Sequence, residues 1–222
     1  MLWANAKLLI SSGRSNYAVN GDVSWKDGTP PAASAVSGSV TRSTYTIVQS
    51  SEPSAGYTTT DNENTTGVSP SSAYDSTTRN VGVAAGSTAT LTSGIYYFND
   101  ISSTGTLQLN ITRGPVVIFM TGNLSITGKF LNATGIPANL VILGPQSGAN
   151  TYAISSSDKF HGVIEAPTAS ITVNSEIYGA VSGDEITFNT SGKLHQDLSL
   201  QRARVNAIRI IANTRSNLLK RY

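Results

Sequence analysis

Phe160-His161-Gly162-Val163-Ile164-Glu165-Ala166 returns 17 residues later as Ile177-Tyr178-Gly179-Ala180-Val181-Ser182-Gly183. The same offset separates Val19-Asn20-Gly21-Asp22-Val23 from Val36-Ser37-Gly38-Ser39-Val40. Apolar and polar residues alternate within each copy, which is the period of a strand, and glycines punctuate the copies. A short repeat written in that alphabet predicts strands stacked coil upon coil, each coil covering the apolar face of the next. Extended over the last coils, the offset places Phe160, Ile177 and Leu194 in one inward column, and Ile164, Val181 and Leu198 in a second. His161, Tyr178 and His195 then form an outward column, beside Val163, Ala180 and Asp197 and next to Glu165, Ser182 and Ser199.

Working outward from this stretch, the chain reads as one all-β, single-stranded β-solenoid over residues 1–222, expected to be right-handed. Residues 8–40 supply opening coils. Residues 41–80 are dominated by Ser, Thr, Asn, Gly and Pro and read as a long polar insertion. The main coils occupy 81–200, where runs such as Val116-Val117-Ile118-Phe119-Met120 and Leu140-Val141-Ile142-Leu143 are β-branched and bounded by Gly, Pro or Asn. Three spacings serve as provisional coil lengths: Leu107 to Leu124, Ile95 to Val116, and Val116 to Leu140. Residues 201–222 form a basic cap or tail.

Composition narrows the function classes. Charged residues make up 13% of the 222, and there is no cysteine, so disulfides, thiolate metal sites and cysteine nucleophiles are excluded. The abundance of Gly, Ser, Thr and Asn suits a β-rich protein exposed outside the cell or in its envelope. The formal net charge is +2, yet after Asp197 come Arg202, Arg204, Arg209, Arg215, Lys220 and Arg221 with no acidic residue. No apolar run is long enough for a membrane span, and the opening residues lack the layout of a signal peptide, so any export signal or anchor is expected outside this chain.

The stretch from Ile95 to Leu200 resembles the solenoid domain of PilX-type minor pilins and related bacterial pilus-assembly and surface proteins. The residues that carry the resemblance are Gly114-Pro115-Val116-Val117-Ile118-Phe119-Met120-Thr121-Gly122-Asn123-Leu124-Ser125-Ile126, Pro137-Ala138-Asn139-Leu140, Gly162-Val163-Ile164-Glu165-Ala166-Pro167, Tyr178-Gly179-Ala180-Val181 and Leu194-His195-Gln196-Asp197. In that family the last coil ends in a His-Tyr-Asp-like signature, whose middle place is taken here by Gln196. The resemblance implies a pilus or envelope partner. Minor pilins also begin with a long apolar helix that this sequence does not show, which leaves a piece of a longer pilin-like protein or a relative used outside the pilus.

Candidate chemistry is sparse. His161, Glu165, Asp184, Glu185, His195 and Asp197 are the one concentrated titratable group, but coils about 4.8 Å apart hold His161 and His195 roughly 10 Å apart with Tyr178 between them. No metal or cofactor is expected, and no catalytic residue is assigned. His161, Tyr178, His195 and Asp197 are candidates for a surface ladder, and the six basic residues of the tail are candidates for binding DNA phosphates or for covering the end of the solenoid. Asp184-Glu185 raises a carbohydrate-active solenoid as an alternative. Thr127, Thr172 and Thr187 raise an ice-binding one, with Asn110, Ser125, Ser170 and Glu185 interrupting the array. The expected function is a non-enzymatic cell-surface or pilus-associated structural and adhesion module that binds a polymer or surface, with glycan or DNA as ligand; the alternative is a DNA-binding minor-pilin module acting through its tail.

Overall fold

A computed structural model describes residues 18–26, 30–42, 62–145, 147–197 and 200, together with the backbone of 2–10. In chain order the strands are β1 (Leu2–Ile10), β2 (Val19–Asn20), β3 (Val23–Trp25), β4 (Val40–Arg42), β5 (Val68–Ser69), β6 (Tyr74–Asp75) and β7 (Asn80–Val83). Next come β8 (Thr88–Thr92), β9 (Gly94–Phe98), β10 (Ile101–Ser103), β11 (Thr106–Asn110), β12 (Val116–Met120) and β13 (Leu124–Ile126). The series closes with β14 (Lys129–Leu131), β15 (Leu140–Leu143), β16 (Thr151–Ile154), β17 (Phe160–Val173), β18 (Glu176–Phe188) and β19 (Lys193–Gln196). Helical structure among the described residues is confined to short 3-10 turns and the residue at Leu200. The molecule is a β-solenoid of about eight coils.

Parallel pairing in register builds three faces. On the first, β9, β12, β15 and the leading half of β17 stack with Ile95 on Val117, Val117 on Val141 and Val141 on Val163. On the second, β7, β10, β13, β16 and the trailing half of β17 align Val81, Ile101, Leu124, Tyr152 and Ile171. The third, β8, β11 and β14, stacks Ala89, Leu107 and Phe130. Beyond β14 the coils shorten to the 17-residue form, in which β17 and β18 each bend through a register shift, between Ala166 and Ser170 in β17, and serve both remaining faces. Two of the sequence spacings are corrected by this register. Ile95 lies against Val117 rather than Val116, and Leu107 and Leu124 belong to different faces. The step from Val116 to Leu140 is a true ladder pair.

The interior is a stack of aliphatic and aromatic columns. Tyr96, Phe98, Phe130, Tyr152, Phe160 and Phe188 are fully buried. Phe130 meets Phe160 edge to face, with centroids 5.5 Å apart at 88°, one of the geometries an aromatic quadrupole favours. Val117, Phe119, Val141 and Leu143 form a second buried cluster with Ile95, Tyr97 and Val163 on the opposite side of the first face, so β12 and β15 are apolar on both sides.

The coil above β18 is made from both ends of the chain. Lys193–Gln196 pairs with Glu176–Gly179, and from Val181 onward the partner is Leu2, continuing to Ile10 against Phe188. The place that the 17-residue offset reserves for Leu198 is therefore filled by Leu2, and that of Ser199 by Trp3; Leu198 and Ser199 lie outside the described residues. β2 then stacks on β19, β3 on β1, and β4 on β3. The two echoes in the sequence are thus one continuous ladder, in which residues 162, 179, 196, 21 and 38 share a column that is glycine except at Gln196.

The two ends of the stack are finished differently. At the β7 end, β5 runs antiparallel on β8 and β6 antiparallel on β7, which ends the parallel repeat on two faces. On the first face, side chains finish the edge. The Ile95 N–H donates to Glu63 Oε2 (2.6 Å), the Tyr97 N–H donates to Asn64 Oδ1 (2.8 Å), and Asn64 Nδ2 donates to the Tyr97 carbonyl (2.7 Å). Residues 62–75, read from sequence as part of the polar insertion, thus close an edge that would otherwise offer unpaired backbone. At the other end β4 is the last strand among the described residues.

Gly179 has φ +145°, and a Cβ there would run into the Gly162 carbonyl oxygen of the next coil, whereas a Cβ on Gly82 meets nothing within 4 Å. Gly179→Ala is expected to cost about 1–3 kcal/mol in chemical denaturation. Gly82→Ala should stay within about 0.5 kcal/mol of the parent.

Candidate functional site

The outward column beside those glycines is the most ordered array of polar side chains on the described surface. His161 on β17, Tyr178 on β18 and His195 on β19 are register partners. Their rings stack, with centroids 4.9 Å apart at 19° between His161 and Tyr178, and 4.4 Å apart at 15° between Tyr178 and His195. In-register parallel strands bring like positions close enough for flat rings to lie face to face, which a one-residue slip would prevent by turning the partner to the other face. The column continues through Asn20, paired with His195, to Ser37, whose Oγ donates to Asn20 Oδ1 at 2.7 Å. It therefore spans five coils, about 19 Å at the usual strand spacing.

Charged groups flank the stack. Glu176 Oε1 lies 2.9 Å from His195 Nε2. Lys159 Nζ sits 5.2 Å from the centroid of the Tyr178 ring, in cation–π range. The His195 hydrogen bond is the main cause holding the Glu176 carboxyl below its ordinary range. His161 is held below the ordinary imidazole value of 6.5 first by burial and then by the Lys159 charge; the Gly135 carbonyl and Asp158 act in the opposite direction. Its Nδ1 is buried without a hydrogen-bond partner, consistent with a neutral ring.

The remaining sequence candidates fall elsewhere. Asp197 follows Gln196 and donates its backbone N–H to the Gly179 carbonyl at 3.4 Å, two residues past the ring of His195. Arg202, Arg204, Arg209, Arg215, Lys220 and Arg221 lie outside the described residues. Thr172 and Thr187 are neighbours, but their column continues into Ala153 on one side and Leu9 on the other. Thr127 lies in the turn after β13, where Ser125 rather than Thr127 aligns with Ala153. The threonines thus make one pair and no extended array. Among the described residues no group of three or more His, Asp or Glu side chains could hold a metal ion, and no helix is long and apolar enough to cross a membrane.

Sequence reasoning missed Lys159, Glu176, Asn20 and Ser37 as members of the site. The signal for the last two was present: each directly precedes the glycine of its repeat, as His161 precedes Gly162 and Tyr178 precedes Gly179. What hid it was the fold back through the amino-terminal strand, which no local spacing encodes.

A parallel solenoid bearing an aromatic and polar ladder on one face is the class these features define. A family model described as a domain of unknown function, DUF7305, matches residues 15–136 and 119–203, and the chain belongs to that family. No curated protein and no solved structure matches it.

The ladder gives the fold a defined acid response. Because the folded state holds His161 below 6.5, protonation favours the unfolded chain, so stability present above pH 6.5 is lost as pH falls through and below that value. Glu176 adds stability present above its ordinary value of 4.5 and lost as pH falls below it. Thermal melts from pH 4 to 7.5 should show two descending limbs. His161→Gln should flatten the limb below pH 6.5, and Glu176→Gln the limb below pH 4.5.

Proposed function

We propose that this protein is a non-enzymatic structural and adhesion module of a cell surface or pilus, which binds a linear polymer along the outward ladder. One observation carries the reading: the His161–Tyr178–His195–Asn20–Ser37 column runs in register over five coils. A repeating ligand matches such a surface better than a small molecule does, because each coil offers a similar contact at the same step. Both faces of the Tyr178 ring are taken by the flanking histidines, so what the centre of the ladder leaves for a ligand is ring edges and polar tips suited to hydroxyl or phosphate partners. The resemblance of Ile95–Leu200 to minor-pilin solenoids, together with the low-charge composition rich in Gly, Ser, Thr and Asn, supports an extracellular or envelope location.

Enzymatic readings have less support. A nucleophile needs an adjacent base and a positioned substrate, and among the described residues the hydrogen bonds of the His195–Glu176 pair include no Ser, Thr or Tyr hydroxyl. The test immobilises a panel of surface polysaccharides and duplex DNA and measures retention of the full chain, of Tyr178→Ala and of a chain ending at Leu200. Retention on a polysaccharide that drops about tenfold in Tyr178→Ala, close to 1.4 kcal/mol, is the expected result. Binding to DNA that disappears only in the shortened chain would move the function to the basic segment. Release of reducing ends from any polysaccharide would overturn the non-enzymatic reading.

A further inference from the structure

The coil shared by β19 and β1 is completed across a seam. Gln196 pairs with Gly179 and Leu2 with Val181, so a single strand position separates the two chain segments within one coil. Among the described residues, the strands of 2–42 pair with β18, β19 and one another: β1 on β18, β2 on β19, β3 on β1 and β4 on β3. The hydrogen bonds beyond the strand ladders follow the same division. The Asp22 N–H donates to Gln196 Oε1 (2.8 Å), and the Leu194 N–H donates to the Ala18 carbonyl (2.8 Å). Asp22 Oδ1 accepts from the N–H and Oγ of Ser39, inside the segment itself.

From these observations the geometry points to residues 2–42 as an exchangeable arm, which completes the split coil of a second copy of this chain as well as its own. Every pairing that seats the arm is made to the edge formed by residues 176–196. A copy of that edge on another chain offers the same pairings in the same register. Such an exchange keeps every strand pairing described at this edge, which is why swapping identical elements is a low-cost route to association. The connection does not impose the intramolecular choice. Arg42 and Asn62 lie at opposite ends of the first face, eight strand steps or about 38 Å apart. The 19 residues between them reach about 65 Å when extended, enough for either route. What favours the intramolecular arrangement is effective concentration, which for a tether able to span its two sites is on the order of millimolar. Exchange therefore competes where chains are crowded to that level, as on a surface or along a filament. The inference stands on the seam alone and does not depend on the ligand proposed above.

The absence of cysteine makes the test direct. Leu9 and Thr187 are register partners across the arm and its edge, at a separation suited to a disulfide. Full-length Leu9→Cys and Thr187→Cys chains are mixed, unfolded, refolded together at about 1 mM and at about 0.01 mM, and oxidised. The expected result is a mixed disulfide dimer forming a large fraction at the higher concentration and falling more than about tenfold at the lower. Leu9→Cys mixed with Ser102→Cys, a position on a distant coil, should give no more than the background of random collision. A chain carrying both Leu9→Cys and Thr187→Cys should close within itself. Closure in that chain with no mixed dimer above background at either concentration would overturn the proposal; failure to close would overturn the register on which it rests.

Discussion

In-register parallel pairing is the constraint on which everything else in this molecule depends. Once Phe160 lies over Ile177 and Leu194, each position repeats its direction in every neighbouring coil. Inward columns become a continuous apolar interior, and outward columns become ladders of like side chains. The same rule leaves each end of the stack with a row of unpaired backbone groups. At one end the chain meets this by reversing direction in β5 and β6 and by lending Glu63 and Asn64 side chains to the edge of β9.

Much of the fold was legible because a solenoid turns long-range structure into local repetition. The offset linking Gly162 to Gly179 gave the correct inward and outward columns of β17 and β18, since alternation along a strand and repetition between coils are both written in the sequence. Where coils vary in length the same logic failed. Leu107 and Leu124 are 17 residues apart yet sit on different faces, because in the longer, three-faced coils spacing no longer identifies the face. Past Gln196 the offset stops identifying the neighbour of β18 for another reason: β19 ends there and β1 takes over against Val181, a pairing with no local signature.

The ladder shows how the interior sets the chemistry outside. Lacking a Cβ, Gly162 leaves room for the Phe160 ring and Leu140, and Gly179 lets its coil approach the Gly162 carbonyl. That close, regular approach is what stacks His161, Tyr178 and His195 as flat rings. The basic residues at 202–221 were conspicuous in sequence because charge is visible without structure. The five-coil column was not, since two of its members, Asn20 and Ser37, are unremarkable polar residues until the fold lines them up with the rings.

The seam between Asp197 and Leu2 also orders events in time. Leu2 waits for a partner, Val181, that follows it by 179 residues, so β1 is made before every other described strand and is among the last of them to be paired. At ordinary elongation rates that interval is roughly 10–40 s. Throughout it the coils from β7 to β17 can stack successively on neighbours already made, while the amino-terminal segment has no edge to join. The molecule therefore closes late, at its one junction of greatest sequence separation, the kind of contact that slows folding most.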